Sequence, residues 1–198
     1  MSRGKSEKTV AFAMSSVAAT LAKFSMDVCL YMSQNFDFIS LPAHLTTGSS
    51  IMPHKKNPDV FELIRGKCNK IQALPYEITL ITNNLPSGYH REFQLLKEGL
   101  FPAIQNLKAC LDIAIFSIKD IKVKDNILAD PKYNYLFTVD TLNEMVVAGM
   151  PFRDAYKAVA EQLENGTYES PKATQHTHEG SINNLCLKEI KEKMQNAF

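Results

Sequence analysis

The sequence has almost no net charge, no paired cysteines and no signal for secretion. It contains 22 basic against 21 acidic residues, so no bulk field draws it to nucleic acid or to a membrane surface. The four cysteines form no Cys-x-x-Cys pair, which favours reduced, structural thiols in a cytoplasmic protein. Any anion binding must therefore come from basic residues that the fold places together.

A long uninterrupted apolar run is also absent. The N-terminal residues MSRGKSEKTV are not followed at once by the apolar region of a signal peptide. The stretch from Val10 to Tyr31 is apolar, but it contains Lys23, Asp27 and several serines. We interpret it as a helix of a soluble protein and expect no membrane partner.

What the sequence does contain is long helical periodicity between sparse glycines and prolines. In the first segment, apolar residues recur in alternating steps of four and three, and a second face carries small residues. The apolar set is Val10, Met14, Val17, Leu21, Phe24, Val28 and Tyr31. The set of small residues is Ala11, Ala18, Ala22, Ser25 and Cys29. The first set predicts a heptad seam, and the second predicts close approach of another helix.

Two more long helices are predicted. The second begins with Asn57 as its N-cap and Pro58 at its first position, and Pro75 should kink it. The third runs from about Arg91 to Ile118, with Pro102 near its start. Three helices of nearly thirty residues are typical of a long bundle that is shared between subunits.

These segments predict an all-α fold with two domains. Residues 1–121 form part of a long-helix bundle and include a loop at 47–58. Residues 122–198 form a small, mostly helical domain, with helices near Thr138–Ala148 and Phe152–Asn165. The charged string IKDIKVKD between the two is expected to be a solvated edge.

The loop GSSIMPHKKNPD carries the chemistry. Prolines restrict its backbone, while Gly48 and the two serines leave its leading edge mobile, as in a lid. Lys55, Lys56 and the amide of Asn57 can surround a carboxylate, helped by the N-terminus of the next helix. A serine beside ammonium groups can act as a base. A solvated basic loop with a helix cap is the alternative interpretation.

The same string closely resembles the signature GSSxMPxKxNP of the fumarase/aspartase superfamily, and KKNPD resembles its argininosuccinate lyases. LPSGYHREFQLLKEGLF resembles the LPxxYN[KR]DxQEDKE segment of those enzymes, and THEGSI resembles their C-terminal region. The resemblance implies a helical homotetramer that needs no cofactor or metal. Its small-molecule substrate would be argininosuccinate, cleaved in arginine biosynthesis to arginine and fumarate.

The resemblance also implies that residues of several subunits form each active site. Members of the superfamily are more than twice as long as this chain, so we interpret the chain as a C-terminal fragment. Alone, it is expected to be inactive.

Site residues follow from the matching positions. Ser49 matches the serine regarded as the general base, and Lys55 and Asn57 match residues that bind the succinyl carboxylate and stabilise the carbanion. Ser50, beside the base, is predicted to bind the substrate. Tyr89, Arg91 and Gln94 match residues that contact the substrate. Departures from the pattern are His54 for Gln, Arg91 for Lys and Leu96 for Asp.

Three alternatives stay open. The parent protein could be another fumarate-releasing lyase, such as adenylosuccinate lyase, or a non-catalytic assembly protein like the lens crystallins of this family. The segment around Tyr89 could be a helix-start loop without function.

His176 and His178 have the spacing of a metal pair, but no third ligand follows, so we expect no metal site.

Overall fold

The computed structural model describes residues 3–171 and 176–197. The chain forms two compact units, residues 1–125 and 126–198. The domain boundary expected between residues 121 and 122 falls just before a short strand that pairs within the first unit. The first unit therefore extends a few residues further than expected, to Asp125.

The first unit is a helical bundle. One long helix packs against a broken helix that returns along it, and another long helix packs against both. These helices are α1 (Lys5–Tyr31), α2 (Asp59–Gln72), α3 (Leu74–Thr82) and α4 (Leu96–Ile118). Short 3-10 helices lie at Ala43–Leu45 and Arg91–Gln94. The predicted all-α class is confirmed.

Helix α1 buries a different face from the predicted heptad seam. Its small residues lie in the core together with Met14, Leu21 and Val28, whereas Val10 and Val17 are each 44% exposed. Small side chains let the backbone of α2 approach closely. Of the small residues, Ser25 donates a hydrogen bond of 2.8 Å to the Leu21 carbonyl, so its buried hydroxyl is satisfied. Of the predicted heptad seam, Met14, Leu21 and Val28 are therefore buried within the single chain, whereas Val10 and Val17 are not.

The second predicted helix is two helices. α2 ends at Gln72, Ala73 joins it to α3, and Pro75 lies in the first turn of α3. Proline has no N–H to donate and its ring crowds the preceding turn, so the break occurs where the kink was predicted. The predicted start is wrong, because helix α2 begins at Asp59 with Pro58 as the N-cap residue. Asn57 binds elsewhere in the loop.

The third predicted helix is confirmed with a small change at its start. Arg91–Gln94 is a 3-10 turn, and α4 then runs without interruption through Pro102. Its buried side chains include Leu100, Leu107 and Ala114. Together with Phe61, Ile64 and Ile78 of the returning helices they form the core of the first unit.

Two short strands tie the end of α4 to the segment after α1. Strands β1 (Ile39–Ser40) and β2 (Lys122–Val123) pair antiparallel, with Ile39 opposite Val123. The Lys124 ammonium lies 2.6 Å from the Asp37 carboxylate. The string IKDIKVKD was expected to be only a solvated edge, and it is exposed, but it also supplies this pairing.

The second unit is small and helical. It contains 3-10 helices at Ile127–Ala129 and Pro131–Phe137, followed by α5 (Thr138–Val147), α6 (Phe152–Glu164) and α7 (Leu187–Gln195). Helices α5 and α6 lie within one residue of their predicted bounds, whereas α7 was not predicted. Leu142, Ala155 and Val159 form the core between α5 and α6.

Two helical stretches, Lys5–Tyr31 and Arg91–Ile118, are long and apolar enough to cross a membrane by length and composition alone. Core helices of soluble proteins pass the same test. That the chain has no membrane partner stays a prediction.

Candidate active site

The signature loop, residues 47–58, is closed at its base by main-chain and side-chain hydrogen bonds. Thr47 and Asn57 form an isolated antiparallel bridge. The Asn57 side-chain amide donates to the carbonyl oxygens of Thr47 at 3.3 Å and Gly48 at 3.5 Å. The Thr47 hydroxyl donates to the Asp59 carboxylate at the start of α2. These bonds replace the helix cap that the sequence predicted for Asn57.

Ser49 forms the turn at the leading edge of the loop. Its Oγ accepts hydrogen bonds from the backbone N–H groups of Ile51 at 3.2 Å and Met52 at 3.0 Å. The side chain is half-buried, whereas the neighbouring Ser50 is exposed. Donors aimed at a hydroxyl oxygen favour negative charge on it, so this turn suits Ser49 better than Ser50 to act as a base.

A cavity of about 750 Å³ lies between the loop, the C-terminal end of α1 and the segment that contains β1. Its lining from the loop includes Met52, His54, Lys55, Lys56 and Asn57, and β2 adds Lys122. Lys55 and Lys56 are exposed. The cavity wall thus carries several basic groups, as required for binding a carboxylate.

Tyr89, Arg91 and Gln94 form a second cluster, on the loop and 3-10 turn that precede α4. The Gln94 Nε2 donates to the Tyr89 hydroxyl oxygen at 3.0 Å. Tyr89 and Arg91 line an open groove. Leu96 is 2% exposed and packs in the bundle core, so this departure from the family pattern serves packing in this chain.

One residue of this cluster was missed by the sequence reasoning. The guanidinium carbon of Arg3 lies 4.4 Å from the centroid of the Tyr89 ring. Arg3 belongs to the polar stretch that precedes α1. Its basic side chain beside a glycine was the available signal, but the partner is 86 positions away and no local pattern reveals it.

The two clusters lie at opposite ends of α1. The signature loop shares its cavity with Cys29 and Met32 at the C-terminal end, whereas Tyr89 contacts Arg3 at the N-terminal end. A helix of 27 residues spans about 40 Å. One chain therefore does not bring Ser49, Lys55 and Asn57 together with Tyr89, Arg91 and Gln94.

The histidine pair has another explanation than metal binding. His176 Nε2 lies 2.9 Å from the Asp140 carboxylate, and the His176 and His178 rings contact each other edge to face. Within residues 3–171 and 176–197, no group of three or more histidine, cysteine or acidic residues has the arrangement of a metal site.

Known proteins resemble the whole chain. A family profile described as a lyase matches residues 8–73. The chain is 56% identical over 198 residues, its full length, to an argininosuccinate lyase of Parabacteroides distasonis. It is 54% identical over 195 residues, 98% of its length, to one of Bacteroides thetaiotaomicron. The whole chain is thus similar to part of an argininosuccinate lyase. It spans 44% of the length of each of these two curated relatives.

The fold of this chain is similar to that of a solved structure. The chain superposes on a class II fumarase from Schistosoma mansoni with a TM-score of 0.68 and 20% identity. The alignment covers 82% of this chain and 34% of the fumarase. At this identity the similarity concerns the fold alone. It confirms the predicted long-helix bundle of the fumarase/aspartase type.

Proposed function

We propose that the chain is part of an enzyme that cleaves argininosuccinate to arginine and fumarate by β-elimination. The observation that carries this proposal is a complete signature loop in a chain 56% identical to an argininosuccinate lyase. Ser49, Lys55 and Asn57 are all present at their family positions, and Lys55 is exposed to a partner or substrate. A crystallin-like assembly protein would not need this set.

Ser49 is the proposed base. It removes a proton from the succinyl carbon next to a carboxylate, and the charge spreads into that carboxylate as an aci-carboxylate. The Ile51 and Met52 N–H groups already bind the Ser49 Oγ and stabilise negative charge on it before the transfer. Lys55 stabilises the aci-carboxylate more than the ground state, which lowers the barrier. The Asn57 amide adds a second donor when the loop moves and releases the Thr47 and Gly48 carbonyl oxygens to which it now donates. The acid that protonates the departing guanidino nitrogen is not among these residues.

The enzyme is proposed to be a cytoplasmic homotetramer that associates through its long helices. Large apolar side chains on the outer faces of α1 and α4 support this proposal, because a single chain leaves them in water. These residues are Val10, Phe12 and Val17, and Phe101, Ile115 and Phe116. The distance between the two site clusters supports it as well. Association would let the signature loop of one subunit meet the Tyr89 cluster of another.

A substrate comparison on the full-length protein tests the proposal. Argininosuccinate should give fumarate, followed by its ultraviolet absorbance, and arginine in equal amount. Adenylosuccinate serves as the same-class control and should give no fumarate. Cleavage of adenylosuccinate instead would show that the substrate is wrong. An assembled oligomer that cleaves neither compound would favour the crystallin-like role.

A further inference from the structure

Tyr89 is held from two sides although its side chain is 53% exposed. The Arg3 guanidinium covers one face of the ring, with 4.4 Å between its central carbon and the ring centroid. At the other end of the side chain, the Gln94 amide donates to the phenol oxygen at 3.0 Å. Because Gln94 is the donor in that bond, the phenol keeps its own proton for an acceptor in the groove.

The position of Arg3 depends on the next residue. Gly4 lies directly before α1 with φ of 79° and ψ of −22°, in the left-handed region. A Cβ at this position would lie 2.7 Å from Thr82 Cγ2 and 3.1 Å from the Phe93 ring. Only glycine fits both the conformation and the space. The backbone before α1 is therefore pressed against α3 and the 3-10 turn, which brings Arg3 over Tyr89.

We propose that Arg3 is a positioning residue that fixes the Tyr89 ring so that its hydroxyl points into the substrate groove. This inference rests on the proposed function, in which Tyr89 contacts the substrate. A guanidinium stacked on a tyrosine face is attracted by the ring electrons and restricts rotation of the ring. Arg3 acts through Tyr89, and the ring orientation is what it contributes to catalysis.

Kinetics of the full-length enzyme provide the first test. Arg3→Met should lower kcat/KM for argininosuccinate roughly threefold to fivefold, the size expected for an exposed cation–π contact. Arg3→Lys should recover part of the loss. The matched control is Lys5→Met, which removes an exposed positive charge in the first turn of α1 and should leave kcat/KM unchanged.

A double-mutant cycle separates positioning from a general structural role. Tyr89→Phe keeps the ring but removes the hydroxyl, so in that background Arg3→Met should change kcat/KM less than twofold. If the fold reductions in kcat/KM caused by the two substitutions multiply in the double variant, the proposal is overturned, because Arg3 then acts independently of the Tyr89 hydroxyl.

A spectroscopic test is independent of the reaction. This chain contains no tryptophan, so Tyr89→Trp introduces one that can be excited apart from the tyrosines, and the protein without the substitution supplies the background signal. Adding Arg3→Met should uncover its ring and raise acrylamide quenching roughly twofold, and Gly4→Ala should do the same by displacing Arg3. Equal quenching with and without Arg3 would overturn the stacking. If the protein does not cleave argininosuccinate but the fluorescence change is clear, only the proposed function is contradicted.

Discussion

Thr47 and Asn57 bind each other through their main chains at the base of the signature loop. The Asn57 N–H donates to the Thr47 carbonyl at 2.8 Å, and the Thr47 N–H donates to the Asn57 carbonyl at 3.1 Å. These two hydrogen bonds join the ends of the loop, so the residues between Thr47 and Asn57 form a unit separate from the helices on either side. Movement of the loop needs no change in α2, which suits a lid that opens and closes on a rigid bundle.

Asn57→Asp should loosen this base. The new carboxylate would face the Thr47 and Gly48 carbonyl oxygens, to which the Asn57 amide now donates, and it would repel both. Losing a hydrogen bond and gaining repulsion should raise the open fraction of the loop about tenfold. The measurement is the rate of limited trypsin cleavage after Lys55 and Lys56. Ser50→Asp adds the same charge at an exposed loop position and should leave the rate unchanged; equal rates in both variants would refute the prediction.

The two loop serines should differ strongly in catalysis. In the full-length enzyme, Ser49→Ala should lower kcat by several orders of magnitude with little change in KM, because it removes the base. Ser50→Ala should have a mild effect. Ser49 also holds the turn through the N–H groups of Ile51 and Met52, so Ser49→Thr, which keeps the hydroxyl, is the control for loop structure. The reverse order of effects would assign the base to Ser50.

The paired lysines of the loop offer a matched comparison. Lys55→Met should raise KM and lower kcat, because one ammonium serves both the bound carboxylate and the developing charge. Lys56→Met removes the same charge one position along the same exposed loop and should have the smaller effect on kcat. Steady-state kinetics of both variants decide the assignment. Similar losses would mean that the loop acts through its net charge.

Much of the fold could be predicted because its helices have periodic apolar patterns. The bounds of α5 and α6, the break at Pro75 and the identity of the loop all follow from local signals. The choice of the buried face on α1 could not be predicted, since a seam of large residues and a face of small ones compete and the partner decides. The proposed oligomer would bury the exposed seam residues Val10 and Val17.

Other features depend on contacts that no local pattern records. Strands β1 and β2 have two residues each, too few for a periodic signal. Asn57 has the sequence of a helix cap, yet its side chain binds across the loop to Thr47, ten positions earlier. The candidate site residues were predicted from the resemblance, but their separation at the two ends of α1 follows only from the three-dimensional packing.

Stability should fall at alkaline pH through Cys68. Burial, together with the neighbouring Cys110 thiol, raises the pKa of Cys68 from 9.0 to about 12. In the unfolded chain the thiol ionises near pH 9, whereas in the folded state it stays neutral. The stability is therefore complete below pH 9 and decreases as the pH rises towards 12.

Urea unfolding at several pH values measures this effect. The free energy of unfolding should decline above pH 9, and less steeply in Cys68→Ala. Thiol labelling is the second measurement, because reagents attack the thiolate. Half-exposed Cys186 should react in the native protein, and fully buried Cys68 only after unfolding. Rapid native labelling of Cys68 would contradict the raised pKa.

Two impaired variants of the full-length enzyme should recover activity when they assemble together. Lys55→Met damages the signature loop, and Tyr89→Phe damages the cluster about 40 Å away at the other end of α1. If each active site combines the loop of one subunit with the Tyr89 cluster of another, a mixed oligomer contains some sites with neither substitution. Such sites should have wild-type kcat/KM, and their number should rise with the extent of mixing.

The variants are unfolded together, refolded and assayed, with native mass spectrometry to count mixed oligomers. A Lys55→Met, Tyr89→Phe double variant refolded with wild-type protein is the control, because it places both lesions in one chain. Mixed oligomers that gain no activity over the separate variants would mean that both clusters serve the same site from one chain, which the length of α1 contradicts.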